Sequence, residues 1–257
     1  MSNAGTALAS GGPGHRGVVI LATDTEVGKT FIGCALAQAL CHAGIVVKVR
    51  KPVETGCTSK DGQLVPADAC LLWAAADKAE PLDIVCPLRF SLPVAAPQAA
   101  KHAGTSLKFD RDIAPILQPV TLTANDHAAS AKSFWVIESA GGALSPLTDD
   151  HLNVQLAAFT KLPVILIAHD RLGTLSTLFA HIESLAQRAI PIAAIVLNRR
   201  PKQQDADNLT ALKAWLPHLV RADSGSLPPP VVSVAQDANQ QAVGLELLNT
   251  MNIQIKP

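Results

Sequence analysis

The chain has 257 residues, which is enough for one substantial α/β domain with a well-buried core. Hydrophobic residues make up 48% of it and aromatic residues only 4%, so its apolar content is mostly Ala, Val, Leu and Ile, which argues against a disordered chain. The 21 Lys and Arg residues are balanced by 21 Asp and Glu residues, so the basic excess of a typical nucleic-acid binder is missing.

The N-terminal part of the sequence leads from a tail into a strand and a helix. Residues 1–16 are rich in Gly, Ala and Ser and contain no apolar segment like that of a secretory signal, so we expect a flexible tail. Residues 17–22 are a short apolar run with β-branched residues, which predicts a strand buried on both faces. Residues 29–43 have helical spacing and end before Gly44, a common helix stop. The domain is expected to span residues 17–257.

The loop between this strand and this helix has the residue types of a phosphate-binding loop. Gly28 lets the backbone approach a phosphate closely, and the free N–H groups of the helix start favour an anion. Lys29 can reach the β- and γ-phosphates of a nucleotide, and the Thr30 hydroxyl can bind Mg²⁺. The strict pattern G-x-x-x-x-G-K-[ST] fails at Thr23, where its first glycine would stand. Gly-Lys-Thr alone is a weak signal, but its place between a strand and a helix strongly indicates nucleotide binding.

The rest of the sequence alternates between apolar strands and helices. Further strands are predicted at residues 45–50, 134–137, 163–168, 192–197 and 230–234. Helices are predicted at residues 66–77, 110–127, 150–160, 175–189 and 206–216, the second of them interrupted by Pro115 and Pro119. This alternation predicts a single-domain α/β fold of the P-loop NTPase type, with a mainly parallel sheet and helices on both faces.

Polar residues follow several predicted strands directly. Lys51, Glu138 and Asn198 each come at the end of an apolar run, as the phosphate loop does. Ligands of open α/β sheets bind outside the carboxyl ends of the strands, so we expect these residues to meet there. Oxygen atoms of Thr30, Asp68 and Glu138 suit Mg²⁺, and the Asn198 amide can donate and accept as adenine requires. Simpler alternatives stay open: Asp68 could be a helix cap and nothing more, Asn198 could end a strand in a turn, and Lys51 could be a surface lysine.

Five segments, in order, resemble the dethiobiotin synthetase family. The loop Thr23-Asp-Thr-Glu-Val-Gly-Lys-Thr30 is similar to the family's phosphate loop, which also lacks a glycine at the position of Thr23. The other similar segments are Lys51-Pro-Val-Glu-Thr-Gly56, Asp68 at a helix start, Glu138-Ser-Ala-Gly-Gly142 with Pro146-Leu-Thr-Asp149 after it, and Leu162-Pro-Val-Ile-Leu166 followed by Leu172 and Gly173. The resemblance runs from about residue 17 to residue 200. Ala22 and Ser139 stand where the family has Gly, which is expected to add side chains near phosphate or substrate.

The resemblance implies an ATP- and Mg²⁺-dependent dethiobiotin synthetase, a ligase of biotin biosynthesis. In its reaction CO₂, supplied by bicarbonate, adds to an amine of 7,8-diaminononanoate to give a carbamate. The carbamate attacks the γ-phosphate of ATP, and the second amine then displaces phosphate and closes the ureido ring. The family's enzymes are dimers with substrate near the subunit interface, so a homodimer is implied. The sequence suggests no membrane or nucleic-acid partner. Its five cysteines, an odd number without Cys-x-x-Cys, favour reduced thiols in a cytoplasmic protein.

Individual roles follow from the residue chemistry and the resemblance together. Lys29 would hold the phosphates, and Lys51 would face the γ-phosphate and the carbamate, which makes both catalytic. Thr55 would bind the substrate through its hydroxyl, and Thr30, Asp68 and Glu138 would bind Mg²⁺. The other residues assigned to the nucleotide are Glu26, Val27, Gly28, Phe31, Ser139, Ala140, Gly141, Asn198 and Arg199. The family's base-binding loop would lie near residues 233–236.

Other interpretations were weighed against this one. A partition-type regulatory P-loop ATPase would carry an extra lysine four residues before the second glycine of the loop, where this chain has Asp24. An inactive nucleotide-binding homologue is suggested only by Ala22 and Ser139. A cobyrinic-type amidotransferase would need a glutaminase domain, for which 257 residues leave no room. His169 and Asp170 also follow a strand, but the family has no acid–base pair there, so we expect a structural or rim role.

Overall fold

The centre of the protein is a six-stranded parallel sheet. The computed structural model of the chain describes residues 16–118, 133–199, 207–219, 227–235 and 237–253. The strands in these residues are β1 (Arg16–Ala22), β2 (Val46–Arg50), β3 (Val53–Thr55), β4 (Thr58–Lys60), β5 (Gln63–Val65), β6 (Leu88–Phe90), β7 (Ser133–Glu138), β8 (Val164–His169), β9 (Ile192–Asn198) and β10 (Val231–Val234). The main sheet has the order β10-β9-β8-β1-β7-β2, and every neighbouring pair in it is parallel.

Helices cover both faces of this sheet. They are α1 (Lys29–His42), α2 (Ala67–Ala75), α3 (Leu82–Val85), α4 (Ala96–His102), α5 (Ala114–Leu117), α6 (Gln155–Thr160), α7 (Thr174–Gln187), α8 (Asn208–Leu219) and α9 (Gln240–Thr250), with a π-helical turn at Phe109–Ile113 before α5. Two small pairs, β3 with β6 and β4 with β5, lie outside the main sheet. None of the helices in the described ranges is long and apolar enough to cross a membrane.

The core consists of two apolar clusters, one on each face of the sheet. Alternate residues of β1 divide between them: Val18 and Ile20 pack with α1, α2 and α9, whereas Val19 and Leu21 pack with α4 to α8. A strand buried on both faces must be apolar throughout, which is why residues 17–22 form an unbroken apolar run. On the first face α9 approaches α1 so closely that a Cβ atom on Gly244 would lie 2.2 Å from the Ala35 carbonyl oxygen.

The predicted fold class is confirmed, and the six predicted strands match the main sheet to within one residue at either end. Arg16, which we placed in the tail, is the first residue of β1, and residues 1–15 lie outside the described ranges. The helix predicted at 110–127 is wrong as a single element: the π-turn and α5 occupy its first half, and residues 119–127 lie outside the described ranges.

The helix predicted at 150–160 is too long, because its first five residues form a loop. Side chains in this loop form local hydrogen bonds that compete with the backbone hydrogen bonds of a helix. The Thr148 hydroxyl donates to Asp150 Oδ1 at 2.7 Å, and the His151 N–H donates to the Thr148 hydroxyl at 3.0 Å. The helix therefore begins at Gln155.

Candidate active site

The phosphate loop is fixed at both ends by strands that lie beside or near β1. At its start the Thr23 N–H donates to the Ile167 carbonyl of β8 at 2.9 Å. At its end the Asn198 side-chain nitrogen, from β9, donates to the Val27 carbonyl at 2.8 Å. Gly28 has φ of +98°, and a Cβ atom there would lie 2.2 Å from that Asn198 nitrogen. Only glycine fits this position, for reasons of both backbone angle and space.

Lys29 is the first residue of α1, and its side chain folds back onto the phosphate loop. It is only 7% exposed, and its Nζ donates to the Asp24 carbonyl at 3.2 Å. Burial lowers the pKa of Lys29 to about 8, since the attraction of Glu138 offsets only part of the desolvation. An anionic phosphate beside this ammonium group would favour its charged form. The loop thus contains the positive charge that nucleotide binding needs.

Buried Glu138 is the centre of a hydrogen-bonded cluster at the carboxyl end of the sheet. It is the last residue of β7 and is fully buried. Its Oε1 accepts hydrogen bonds from Lys51 Nζ at 2.5 Å and from the Thr30 hydroxyl at 2.9 Å, and Lys51 Nζ also lies 3.3 Å from Asp68 Oδ2. Burial alone would lower the pKa of Lys51, but the carboxylates of Glu138 and Asp68 raise it above its ordinary value. The structure therefore brings the predicted Mg²⁺ ligands Thr30, Asp68 and Glu138 together around Lys51. Asn198, which was also expected here, contacts the phosphate loop at Val27.

The donor atoms of this cluster fit Mg²⁺. Glu138 Oε2 is buried and has no hydrogen-bond partner among the described residues, which is unusual for a carboxylate oxygen. The Asp68 carboxylate is 51% exposed and faces the same site. The described residues contain no group of three or more His, Cys, Asp or Glu side chains that could hold a metal, so a metal here needs other ligands as well. Mg²⁺ commonly binds through one or two carboxylates and completes its shell with water and substrate phosphates.

Glu54 is a member of the site that the sequence interpretation missed. It lies on β3 and is 6% exposed, and its carboxylate accepts the N–H groups of Asp68 at 3.0 Å and Ala69 at 2.8 Å. Burial raises the pKa of Glu54, and Lys51 and the two N–H groups oppose that rise. One signal was available: the predicted helix begins at Pro66-Ala-Asp without a Ser, Thr or Asn cap, so its first N–H groups needed an external acceptor.

Asn153 was also missed, and it holds the loop that follows Glu138. Its side-chain nitrogen donates to the carbonyls of Ala140, Gly142 and Ser145 at 2.8 to 3.2 Å, and its Oδ1 accepts the Ala140 N–H at 3.1 Å. Asn153 is fully buried, so one amide replaces water for several backbone groups of the loop. Its partners are all backbone atoms, so no side-chain pattern in the sequence revealed it.

Ala22 and Ser139, which stand where the family has Gly, both have buried side chains. The Ala22 methyl group is fully buried in the apolar cluster beside α1. Ser139 is fully buried too, and its hydroxyl donates to the Gly141 carbonyl at 3.1 Å. Its side chain therefore bonds within the loop.

The ends of β8 and β9 carry a structural network beside the candidate site. Buried Asp170 accepts from the Arg199 guanidinium at 2.9 and 3.3 Å and from the Asn208 amide at 2.7 Å. This gives Asp170 the structural role that we expected. His169 lines a cavity of about 360 Å³ that borders the phosphate loop at Thr23 and Asp24.

The remaining predicted residues lie around the cluster without joining it. Thr55 ends β3, is half-buried, and is outside the hydrogen-bonded Glu138 cluster of the described residues. Glu26 is exposed with φ of +54°, and Val27 is buried. Phe31 is half-buried, and its carbonyl accepts from the Gln240 side chain at 3.1 Å. Of the region predicted to hold the base, Gln236 lies outside the described ranges.

Comparison with known proteins shows the family to which the chain belongs. The family model described as an AAA domain matches residues 16–228. An ATP-dependent dethiobiotin synthetase BioD of Anaeromyxobacter dehalogenans (strain 2CP-C) is 37% identical over 190 residues, which cover 74% of this chain and 79% of that protein. A protein of the same name from Rhodopirellula baltica is 32% identical over 256 residues, covering 91% of this chain and 97% of that protein. The chain belongs to the ATP-dependent dethiobiotin synthetase family.

Proposed function

We propose that this protein is an ATP-dependent dethiobiotin synthetase that forms dethiobiotin from 7,8-diaminononanoate, CO₂ and ATP. The observation that carries the proposal is the hydrogen-bonded cluster of Lys51, Thr30, Asp68 and Glu138 at the carboxyl ends of β2 and β7 and the start of α1. Family membership and the confirmed P-loop architecture support it. No observation favours a regulatory ATPase or an inactive homologue.

The reaction brings two anions, a carbamate and the ATP triphosphate, into one site. The two buried lysines supply positive charge that offsets their repulsion. One amine of the diamine takes up CO₂ and loses a proton, giving a carbamate. A carbamate oxygen then forms a bond to the γ-phosphorus as the bond to ADP breaks. The nitrogen of the second amine attacks the carbonyl carbon, phosphate leaves, and a proton is released. Charge that develops on the transferred phosphoryl group must be stabilised by fixed donors, and this is the role of Lys29 and Lys51.

Mg²⁺ would be held by Thr30, Asp68 and Glu138. When bound it would neutralise negative charge on the ATP phosphates. Lys51 already shares Glu138 with Thr30, so its ammonium group lies next to the place where those phosphates would bind. Lys29 would hold the β- and γ-phosphates from inside the loop.

Other assignments are part of the same proposal. Thr55 would bind the diamine or the carbamate, and Asn198 with Arg199 would lie at the adenine. The Asn198 side-chain nitrogen donates to Val27, so one of its two hydrogens is already engaged. A homodimer is proposed from the family resemblance, a domain over residues 17–257 from the pattern of strands and helices, and a cytoplasmic location from the cysteine content. The remaining proposed nucleotide contacts are Glu26, Val27, Gly28, Phe31, Ser139, Ala140 and Gly141.

An omission assay tests this function. Phosphate release is measured with ATP, Mg²⁺, bicarbonate and 7,8-diaminononanoate, and then with each left out in turn. We expect phosphate release to require all four components, and one dethiobiotin to form for each phosphate released. Equal phosphate release without the diamine would favour a regulatory ATPase, and nucleotide binding without any turnover would favour an inactive homologue.

A further inference from the structure

Glu54 is a buried carboxylate to which the proposed reaction gives no role. It lies three residues after Lys51 and one before Thr55, so it belongs to the segment that carries both of these proposed site residues. Its side chain turns to α2, where it accepts two backbone N–H groups. A buried carboxylate is costly unless its oxygens are bonded, and here each oxygen has one N–H donor.

The start of α2 depends on this contact. Its first N–H groups have no partners inside the helix, and the preceding residue, Pro66, makes no side-chain cap. The negative charge of Glu54 also lies at the end of the helix where the dipole favours an anion. A side chain from β3 therefore takes the place of the local cap that α2 lacks.

The N–H groups that Glu54 binds belong to Asp68 and to the residue after it. Glu54 thereby fixes the backbone from which the Asp68 carboxylate projects. Lys51 Nζ lies 3.3 Å from that carboxylate, but Asp68 is half exposed at its side chain. The backbone contact holds Asp68 in place more firmly than the exposed ion pair can.

We propose that Glu54 is a positioning residue that sets the distance between Asp68 and Lys51 and so shapes the Mg²⁺ site. The inference rests on the proposed role of Asp68 in binding Mg²⁺ with ATP. Glu54 acts through Asp68 and does not touch the nucleotide. A merely structural cap would affect stability, whereas a positioning residue also affects metal affinity.

The test measures metal binding directly. Mn²⁺ replaces Mg²⁺ and is titrated by electron paramagnetic resonance into the protein with a non-hydrolysable ATP analogue. We expect Glu54→Gln to weaken Mn²⁺ binding by about 10-fold or more, as is typical for groups that orient metal ligands. Binding of the analogue without metal should change less than about twofold, since Lys29 and the loop amides are untouched.

Asp150→Asn is the matched control. Asp150 also accepts a backbone N–H at the start of a helical turn, that of Phe109 at 3.2 Å, but it lies outside the Glu138 cluster. If Glu54→Gln lowers the melting temperature as this control does and leaves Mn²⁺ affinity unchanged, Glu54 is only a helix cap and the proposal fails.

A double-mutant cycle separates action through Asp68 from a general loosening of the site. In an Asp68→Ala background, Glu54→Gln should weaken Mn²⁺ binding no further. Additive losses would overturn the proposal. If Glu54→Gln does not fold, the shorter Glu54→Asp is used in the same cycle with the same expectation. None of these measurements needs dethiobiotin to form, so a protein that fails the omission assay but shows this coupling would refute the proposed function alone.

Discussion

Glu138 shows how much one buried carboxylate can organise. An ionised carboxylate loses several kcal/mol of hydration when buried, so it needs compensating partners. Lys51 and Thr30 supply them from two other segments, and this draws β2, the start of α1 and β7 together. The same contacts leave Lys51 with its charge stabilised and pointed at the site. At the scale of single residues, the charge that the proposed reaction needs is thus built into the fold.

Lys51→Ala and Lys29→Ala should fail in different ways. Lys51 is proposed to act mainly in the transition state, so Lys51→Ala should bind a non-hydrolysable ATP analogue within about threefold of the parent but lose about 10²–10³ in turnover. Lys29→Ala should lose analogue affinity as well. Calorimetric titration and single-turnover kinetics measure the two effects.

Lys48→Ala is the control for these variants, because Lys48 lies on the same strand as Lys51's neighbour Arg50 and its Nζ lies over the Trp135 ring, 5.5 Å from the centroid. It should turn over like the parent. Parent-like turnover in Lys51→Ala would show that Lys51 is only a strand-end lysine.

The buried cysteines should be slow to react at pH 8. All five cysteines are free, and burial raises the pKa of both Cys34 and Cys86 to about 12. At pH 8 only about one in ten thousand such thiols is ionised, and the thiolate is the reactive form. Iodoacetamide labelling followed by mass spectrometry should therefore modify half-buried Cys70 before Cys34 or Cys86. For half-buried Cys41, whose pKa burial raises to about 11, labelling should keep rising with pH up to that value. Equal labelling of Cys34 and Cys70 at pH 8 would contradict the predicted order of reactivity.

At the scale of elements, the junction of the phosphate loop with α1 is the most constrained. Gly28 has a left-handed backbone angle, and the Asn198 amide of β9 occupies the space where its side chain would be. The same amide donates to the Val27 carbonyl. The loop, the helix start and β9 therefore share one geometry, and a change in one shifts the others.

Gly28→Ala should weaken binding of the ATP analogue by about tenfold or more, from backbone strain and from the clash with Asn198. Gly28→Ala with Asn198→Ala removes the clash, but it keeps the strain and also loses the amide that holds Val27, so it should not regain parent-like affinity. The control is Gly62→Ala, because Gly62 also has a positive φ, of +76°, but has nothing within 4 Å of its would-be Cβ. Fluorescence titration measures all three. Parent-like affinity in Gly28→Ala would refute this account of the loop.

Elements with regular apolar patterns were predictable, and those held by side chain–backbone contacts were not. The runs at residues 17–22 and 163–168 are apolar because their strands are buried on both faces, and both were predicted. Residues 150–154 were predicted as the start of a helix, but Thr148 and Asn153 bond to the backbone there and form a loop. The helix α9 was not predicted, and it packs against α1 through Gly244, a residue that lowers helix propensity.

The same distinction separates the site residues that were predicted from those that were missed. Lys51, Asp68 and Glu138 were predicted to meet because charged groups at strand ends and helix starts are visible in the sequence. Glu54 and Asn153 were missed because their partners are backbone atoms of remote segments, which no residue type indicates. Pairings of this kind need the three-dimensional path of the chain.

At the scale of the whole molecule, the strand order explains why the site forms where it does. The strand β1 lies between β8 and β7, so the phosphate loop has the Glu138 loop on one side and the β8–α7 loop on the other. The strand β2 lies beyond β7, which brings Lys51 to Glu138. Because all of these strands are parallel, their carboxyl ends lie at one edge of the sheet. The proposed chemistry is therefore gathered at a single place by topology.

An isotope-transfer experiment tests the central claim most directly. In a single turnover that is quenched before bicarbonate exchanges oxygen with water, the protein is given ¹⁸O-labelled bicarbonate, 7,8-diaminononanoate, Mg²⁺ and ATP. If a carbamate oxygen attacks the γ-phosphate, the oxygen that bridges carbon and phosphorus leaves with the phosphate. We predict that the released phosphate carries one ¹⁸O atom and that the ureido oxygen of dethiobiotin is also labelled. Phosphate without ¹⁸O would show that water attacks ATP and would contradict the proposed synthetase reaction.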